Sequence, residues 1–599
     1  MCGISGVFLN IKNKNSKGLE QAVERMNQSQ FRRGPDDKGV FVDVKTGVAF
    51  GHNRLSIIDL SKAGHQPMGY KIKNLKLKIK NYDLWITFNG EIYNFLDLKK
   101  DLEKKGHKFK TKTDTEVILA LYAEYGEKSF SMLRGMFAFG LWDGKAKKLF
   151  LVKDRYGIKP LYYYSDNGKL VFASTVKAII ESGLIPVEKN PGAFIGFLLF
   201  GSVPLPMTTI KNVFAAPAGY YIEASVAASG GLNLKKVKYY EPLEFFQNKD
   251  NVSFGEVPEN IKRLLNKSVD YHLISDAPLG VFLSGGLDSS AIAALARRNI
   301  GEGGLPLKTL SIVFDEPEFS EQKYQRLVAQ KIKSDHREIK ITQKDFFDSF
   351  GEIFEAMDQP TIDGVNSFFI AKAAKEAGLK AVLSGLGADE IFLGYPHFRR
   401  AELLKKIQKL PKILKFPLKL VSLMGDRYSK LNYFINSDDL SFYLGIRGLF
   451  SPQETAKILD INLSEVKNFI DEFSCGQATG KLHPVDLLSY LELKFYLQNQ
   501  LLKDTDFMSM YHSIEVRVPF LDHKLVEYVS SLPPEIKLGK DINKPLLIEA
   551  TRDLLPPEIL TRKKMGFTFP FQKWMRKIDS DFSGGHWSRF WAKKVLNKF

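Results

Sequence analysis

Apolar and polar positions change rhythm along this chain. Up to about residue 170 the apolar residues fall in short alternating runs bounded by Gly, Asn, Asp and Ser, as in GVAFGHNRLSIID, LWITFNGEIYN and GMFAFGLWD. Such runs predict short strands, with one clear helix near Asp114–Tyr125, and so a β-rich α+β layer. Between Lys71 and Lys80 the string KIKNLKLKIK alternates basic and apolar residues, the pattern of a half-exposed strand whose lysines discourage edge pairing. Around Ala224–Ser253 the composition loosens into a loop-rich junction. Then the period changes: a helix near Val257–Ile274, a strand in GVFLSGG, a helix at Asp288–Arg298 and a strand in LKTLSIVF. Strands alternating with helices predict a parallel α/β sheet. From Arg399 onward the chain reads as mostly helical, and no internal repeat is visible.

Composition narrows the class. The 599 residues are 44% apolar and 26% charged, enough for several units of ordinary domain size with ample core. No apolar run approaches the roughly 18 residues needed to cross a bilayer, and no basic segment followed by an apolar run opens the chain, so a cytoplasmic location is expected. The net charge of +18 comes from 86 basic and 68 acidic residues spread along the chain. No aromatic-interleaved basic face or nucleic-acid motif accompanies it, so anionic small molecules or an anionic membrane surface are the better partners. Cys2 and Cys475 are too few for a disulfide framework and sit in no zinc pattern.

Cys2 is the first candidate for chemistry. Removal of Met1 would leave one residue with a thiol and a free α-amine, whose pKa of about 7.7–8 suits it to take the thiol proton and return it later. Around it stand MCGISGVF, RRGPDD, GHNRLSIID, FNGEIYN, TDTEVIL and KDRYGIKPLYY. Together they resemble the glutaminase domain of class II glutamine amidotransferases, N-terminal-nucleophile hydrolases with two sheets between helical layers. The resemblance implies that Cys2 is the nucleophile and that Asn89 and Gly90 form the oxyanion hole. It also implies that Arg54, Leu55, Ser56, Ile57, Glu91 and Asp114 surround the glutamine, with Arg54 on its α-carboxylate and Asp114 on its α-ammonium.

The second candidate is FLSGGLDSS, where a buried strand passes into a helix. Gly285 and Gly286 let backbone N–H groups close on phosphate, and Ser284, Ser289 and Ser290 add hydroxyl donors. No Walker P-loop is present. SGGLDSS resembles the pyrophosphate loop of enzymes that cleave ATP to AMP and pyrophosphate. Coupled to an N-terminal glutaminase and followed by SIVFDEPEFSE, LSGLGADEIFLGY, MSMYHSIEVRVPFLDHKLVEY and RKKMGF, it is similar to the asparagine synthetase family. The resemblance implies ATP contacts from Leu283, Ser284, Gly285, Gly286, Asp288, Ser289, Ser290, Ile312, Ser384 and Gly385. It further implies Mg²⁺ on Asp288 and Asp389, and Lys564 beside the reacting carboxylate and phosphate.

One position departs from that pattern. The third residue of SG-x-GADE, acidic in asparagine synthetases, is Leu386 here, and leucine can be neither base nor ligand. LSGLGADEIFLGYPHFRR, LLKDTDFMSMYHS and KKMGFTFPFQKW resemble asparagine synthetase-like amidotransferases of surface-polysaccharide systems. The expected fold is an α+β N-terminal-nucleophile sandwich of four αββα layers (2–210), a junction (211–256), and an α/β ATP-pyrophosphatase-type synthetase domain with helical additions (257–599). The expected activity is glutamine-dependent asparagine synthesis from aspartate and ATP. The alternatives are amidation of another carboxylate, such as a uronic acid, and a non-catalytic regulatory homologue. Oligomeric state stays open, a homodimer among the options. The basic amphipathic stretch Ala401–Met424 reads as ordinary surface helices, with an anionic membrane surface as the alternative.

Overall fold

The computed structural model describes every residue except 1, 11–15, 72–82, 229, 250–253, 302–305, 423–427, 474–478, 480–481, 540–541, 567–568 and 576–585. Twelve strands precede residue 240: β1 (Gly3–Leu9), β2 (Asp37–Asp43), β3 (Val48–Arg54), β4 (Met68–Tyr70), β5 (Leu84–Ile92) and β6 (Gly135–Asp143), then β7 (Lys148–Lys153), β8 (Tyr162–Ser165), β9 (Lys169–Ala173), β10 (Val213–Ala215), β11 (Tyr220–Val226) and β12 (Leu232–Lys238). They build two six-stranded sheets, ordered β10-β8-β9-β1-β3-β2 and β12-β11-β7-β6-β5-β4. Every pairing within them is antiparallel. Ile4, Phe8, Phe50 and Phe172 of the first sheet meet Ala138, Leu149 and Leu151 of the second in one core. The helix Ser16–Ser29 covers the outer face of the first sheet through Leu19, Val23 and Met26. The helix Asp114–Tyr125 covers the second through Val117, Ile118 and Leu121. This is the expected four-layer αββα sandwich.

The third sheet is parallel throughout: β13 (Leu279–Phe282), β14 (Lys308–Val313), β15 (Asp335–Lys340), β16 (Ala381–Leu383) and β17 (Glu515–Arg517), in the order β15-β14-β13-β16-β17. Its strands alternate with helices, as the change of period predicted. SGGLDSS leaves the C-terminal end of β13 and SGLGADE that of β16, the edge where α/β sheets bind ligands.

One expectation needs correction. The loop-rich junction at Ala224–Ser253 carries instead most of the antiparallel hairpin β11–β12, which extends the second antiparallel sheet. Only Ile222 and Ala224 of β11 are buried, so the small and polar residues that read as loop are the solvent side of an edge pair. The helical region after Arg399 also donates one strand, β17, to the parallel sheet. The lysine-rich strand expected at Lys71–Lys80 falls almost wholly outside the described residues. No described helix is long and apolar enough to cross a membrane.

Candidate active site

Cys2 stands immediately before β1, buried, where the strand's pairing with β3 begins at Gly3 and Asn53. Its backbone N–H donates to Asn89 Oδ1 at 2.9 Å, and Arg33 Nε donates to its carbonyl at 3.2 Å. Burial pushes the thiol up, while the Leu55 N–H and the Arg54 guanidinium pull it back. Asn89 is fully buried on β5, and its Nδ2 has no hydrogen-bond partner among the described residues. A buried amide donor left free is costly unless something else uses it. Beside it Gly90 has φ +145°, and a Cβ there would lie 2.0 Å from the Met136 carbonyl oxygen. Glycine therefore keeps β5 and β6 paired beside Cys2.

Arg54 ends β3, buried, with Nη1 donating to Ser61 O (2.9 Å) and Nη2 to Ile58 O (3.3 Å) and Asp59 O (2.5 Å). Leu55, Ser56 and Ile57 follow it, all buried, and the Ser56 N–H donates to Asp36 Oδ2 at 2.7 Å. Asp114 opens its helix behind the N-cap Thr113, and its Oδ2 accepts the Ile92 N–H at 2.8 Å. Burial raises the Asp114 carboxyl to about 7 despite that bond. Glu91 is buried 3.6 Å from Arg517 Nη2, and burial together with Glu515 drives its carboxyl well up.

At the second site Leu283, Ser284, Asp288, Ser289, Ile312, Ser384, Gly385, Asp389 and Lys564 line one cavity of about 890 Å³. Ser284 and Ser289 share a hydroxyl contact of 2.9 Å, and Ser289 Oγ accepts the Ser284 N–H at 3.1 Å. Gly285 and Gly286 form the turn without being wall residues, and Ser290 is buried one step along the helix, its Oγ unpartnered among the described residues. A Cβ on Gly385 would sit 2.8 Å from the Ser289 N, so the two loops meet backbone to backbone. Leu386 is also in the wall.

Asp288 and Asp389 converge on a residue that the motifs did not mark. Lys544 Nζ lies 2.6 Å from each carboxylate, and Lys564 Nζ also pairs with Asp389. Burial alone would push the Asp389 carboxyl up, but Lys544 and Lys564 outweigh it and hold it at about 2. Burial raises Asp288 against the same lysine. Among the described residues no group of three or more His, Cys, Asp or Glu could hold a metal unaided. Two convergent carboxylates nevertheless fit Mg²⁺, which takes one or two protein carboxylates with the remaining oxygens from phosphate and water.

The motifs assign no role to other contributors, although Arg562 and Glu321 lie within the quoted strings RKKMGF and SIVFDEPEFSE. Arg562 Nη1 donates to Gly285 O at 2.9 Å, pairs with buried Glu321 at 2.5 Å, and stacks its guanidinium 4.0 Å from the Tyr324 ring centre. A π-helical stretch, Glu492–Leu501, turns Phe495, Tyr496 and Gln500 to the cavity. Such wide turns cluster at functional sites.

The family model for asparagine synthase matches residues 260–582, more than half of the chain. The chain belongs to the asparagine synthase family. A glutamine amidotransferase domain model matches residues 1–240 of this family member, taking in the hairpin β11–β12. The "Asparagine synthetase [glutamine-hydrolyzing] 1" of Bacillus subtilis is 32% identical over 590 residues, covering 96% of this chain and 88% of that protein. "Amidase chry2" of Gibberella zeae is 28% identical and covers 96% and 90%. Among solved structures, a glutamine phosphoribosylpyrophosphate amidotransferase from B. subtilis covers 64% of this chain and 81% of its own, at 14% identity and a TM-score of 0.29. That likeness is too distant to add to the asparagine synthase assignment.

Proposed function

We propose that this asparagine synthase family member is a glutamine-dependent, ATP-driven amidotransferase. The observation that carries the reading is Asn89, whose Oδ1 holds the N–H of Cys2 while its buried Nδ2 has no partner among the described residues and can meet an oxyanion. With Met1 removed, the α-amine of Cys2 takes the thiol proton and the sulfur attacks the glutamine amide carbon. The tetrahedral oxyanion is held by Asn89 Nδ2 and the Gly90 N–H. The C–N bond breaks, the amine returns the proton to the departing ammonia, and water clears the thioester as glutamate. Arg54 binds the α-carboxylate and Asp114 the α-ammonium.

At the second site the acceptor carboxylate attacks the α-phosphorus of ATP and pyrophosphate leaves. Ammonia, reaching the site by an internal passage, then displaces AMP from the acyl carbon and gives up a proton. The Ser284–Ser289 turn receives pyrophosphate, and Lys564 offsets negative charge beside Asp389. Asp288 and Asp389 would hold Mg²⁺, which when bound neutralises phosphate charge.

The relatives' names support aspartate as the acceptor. A second reading, amidation of a larger acid such as a uronic acid or its nucleotide-linked form, is favoured by the cavity wall. Leu386 offers no polar group, while Tyr395, Tyr443, Phe495, Tyr496 and Trp587 present rings, with Lys430 and Arg589 as cations. Burial and Arg589 lower Lys430, which has no ion-pair partner among the described residues.

Acceptor-dependent pyrophosphate release separates these readings, with aspartate and uronic acids screened in parallel. With the accepted acid, Asn89→Ala should reduce the glutamine-driven rate by about 10²–10³, as for loss of one oxyanion donor, and leave the ammonium-driven rate intact. Loss of both rates, or of neither, refutes the division of labour.

A further inference from the structure

The large apolar side chains that reach solvent are not scattered. Sixteen are exposed among the described residues, and six of them, Leu403, Leu410, Ile413, Leu414, Phe416 and Leu420, fall within one segment. Ile413 is 82% exposed. Single exposed apolar residues are ordinary, but a contiguous set marks an interaction surface. The segment folds as a helix Ala401–Lys409, a 3₁₀ turn Lys412–Lys415 and a helix Phe416–Ser422, with Pro411 at the break.

Its inward side is anchored by polar contacts. Lys405 Nζ donates to Asp439 Oδ1 (2.7 Å) and Gln408 Oε1 (2.8 Å), Lys415 Nζ donates to Ile435 O (3.1 Å), and Ser422 Oγ donates to Asn432 Oδ1 (2.9 Å). Those lysines therefore belong to the packing. On the outward side Arg399, Arg400, Lys406 and Lys409 are exposed with no ion-pair partner among the described residues. The one carboxylate in the helix Ala401–Lys409, Glu402, lies 3.6 Å from His483 Nε2. The exposed face thus joins aliphatic and aromatic side chains to an excess of positive charge.

We infer that residues 399–420 form a docking face for an anionic lipid surface. The apolar side chains enter the interfacial layer while the arginines and lysines meet lipid phosphates. A second copy is the poorer occupant, because a two-fold contact would set the same four cations against themselves. The placement also suits the molecule. The helix Phe416–Ser422 packs on the turn Ser429–Ile435, whose Lys430 lines the cavity beyond the nucleotide loop. A lipid surface under this face lies beside the end of the site where the acceptor would enter. The inference stands on the exposed face and not on which acid is amidated.

The test is co-sedimentation of the full chain with phosphatidylcholine vesicles and with phosphatidylcholine–phosphatidylglycerol vesicles. Binding should require the anionic lipid and be released by high salt. Lys406→Gln with Lys409→Gln should weaken it about thirtyfold, which is about 2 kcal/mol at about 1 kcal/mol per basic residue. Ile413→Asp with Leu414→Asp should abolish it, with glutaminase activity unchanged in both variants as the check on folding. Equal binding to both vesicles, no binding to either, or full binding by the aspartate variant overturns the inference. So does a concentration-dependent dimer that the aspartate variant dissolves while vesicle binding is absent.

Discussion

At the residue scale, neighbours of like composition are given different work by burial. Asp114 and Asp36 are both carboxylates next to the proposed glutamine site, yet Asp36 is partly exposed and paired with Lys380 at 2.6 Å, whereas Asp114 is buried and raised to about 7. A carboxyl raised that far carries a proton below about pH 7 and is an anion above it. Only the anion can balance the α-ammonium of glutamine, which keeps its proton throughout this range. The glutaminase KM should therefore rise as pH drops through about 7, separately from the fall in kcat brought by protonation of the Cys2 α-amine, of pKa about 7.7–8. In Asp114→Asn KM should be high at every pH, with that rise gone, while the fall in kcat stays. Steady-state glutamate release between about pH 5.5 and 8.5 reads both parameters; an unchanged acid-side rise of KM in Asp114→Asn would remove Asp114 from ammonium recognition.

At the element scale, the loops at the ends of β13 and β16 work only because a third segment closes on them. Gly394 lies just past the short helix after SGLGADE, where a Cβ would come within 1.9 Å of Asp389 Oδ1 and 2.3 Å of Lys544 Cε. Both of those atoms belong to side chains that can move aside, so the expected cost of Gly394→Ala is to alignment more than to folding. Pyrophosphate release should drop at least about a hundredfold, as 1 Å displacements at reacting centres do, while glutamate release persists. Parallel assays of the two half-reactions check it; equal loss in both would mean global damage. Here the limits of sequence reading also show. FLSGGLDSS was legible because glycines and hydroxyls at a strand-to-helix turn suit a proposed phosphate site, and LSGLGADE because it resembles a family motif. Lys544 was not, because a lone lysine between a polar turn and Pro545 has no periodic or motif signal. The hairpin β11–β12 was missed for a related reason: an edge pair whose fully buried positions are only Ile222 and Ala224 is compositionally close to a loop.

At the scale of the whole molecule, the two halves are tied by charges buried between them. Arg33 Nη1 pairs with Asp506 at 2.7 Å, with both side chains nearly inaccessible, and the same guanidinium donates through Nε to the Cys2 carbonyl. Arg134 grips Asp522 through two bonds, of 2.6 and 2.8 Å, and Asp522 also accepts the N–H of Lys524 as the N-cap of the helix His523–Ser531. A residue of the C-terminal half thus sets the charge balance of the arginine that donates to the Cys2 carbonyl. None of this was readable beforehand, since Arg33 and Asp506 are 473 positions apart. Removing one partner of a buried pair leaves the other uncompensated, at a cost of about 3–5 kcal/mol, while replacing both by apolar groups is often near neutral. Asp506→Ala should therefore destabilise the chain by about that amount in denaturant unfolding and lower glutamate release, whereas Arg33→Met with Asp506→Leu should recover much of the stability. If Arg33 acts on Cys2 as well as on Asp506, the double variant stays slow with glutamine despite being stable. Full recovery of glutaminase activity along with stability would reduce Arg33 to an anchor between the halves, with no part in holding the nucleophile.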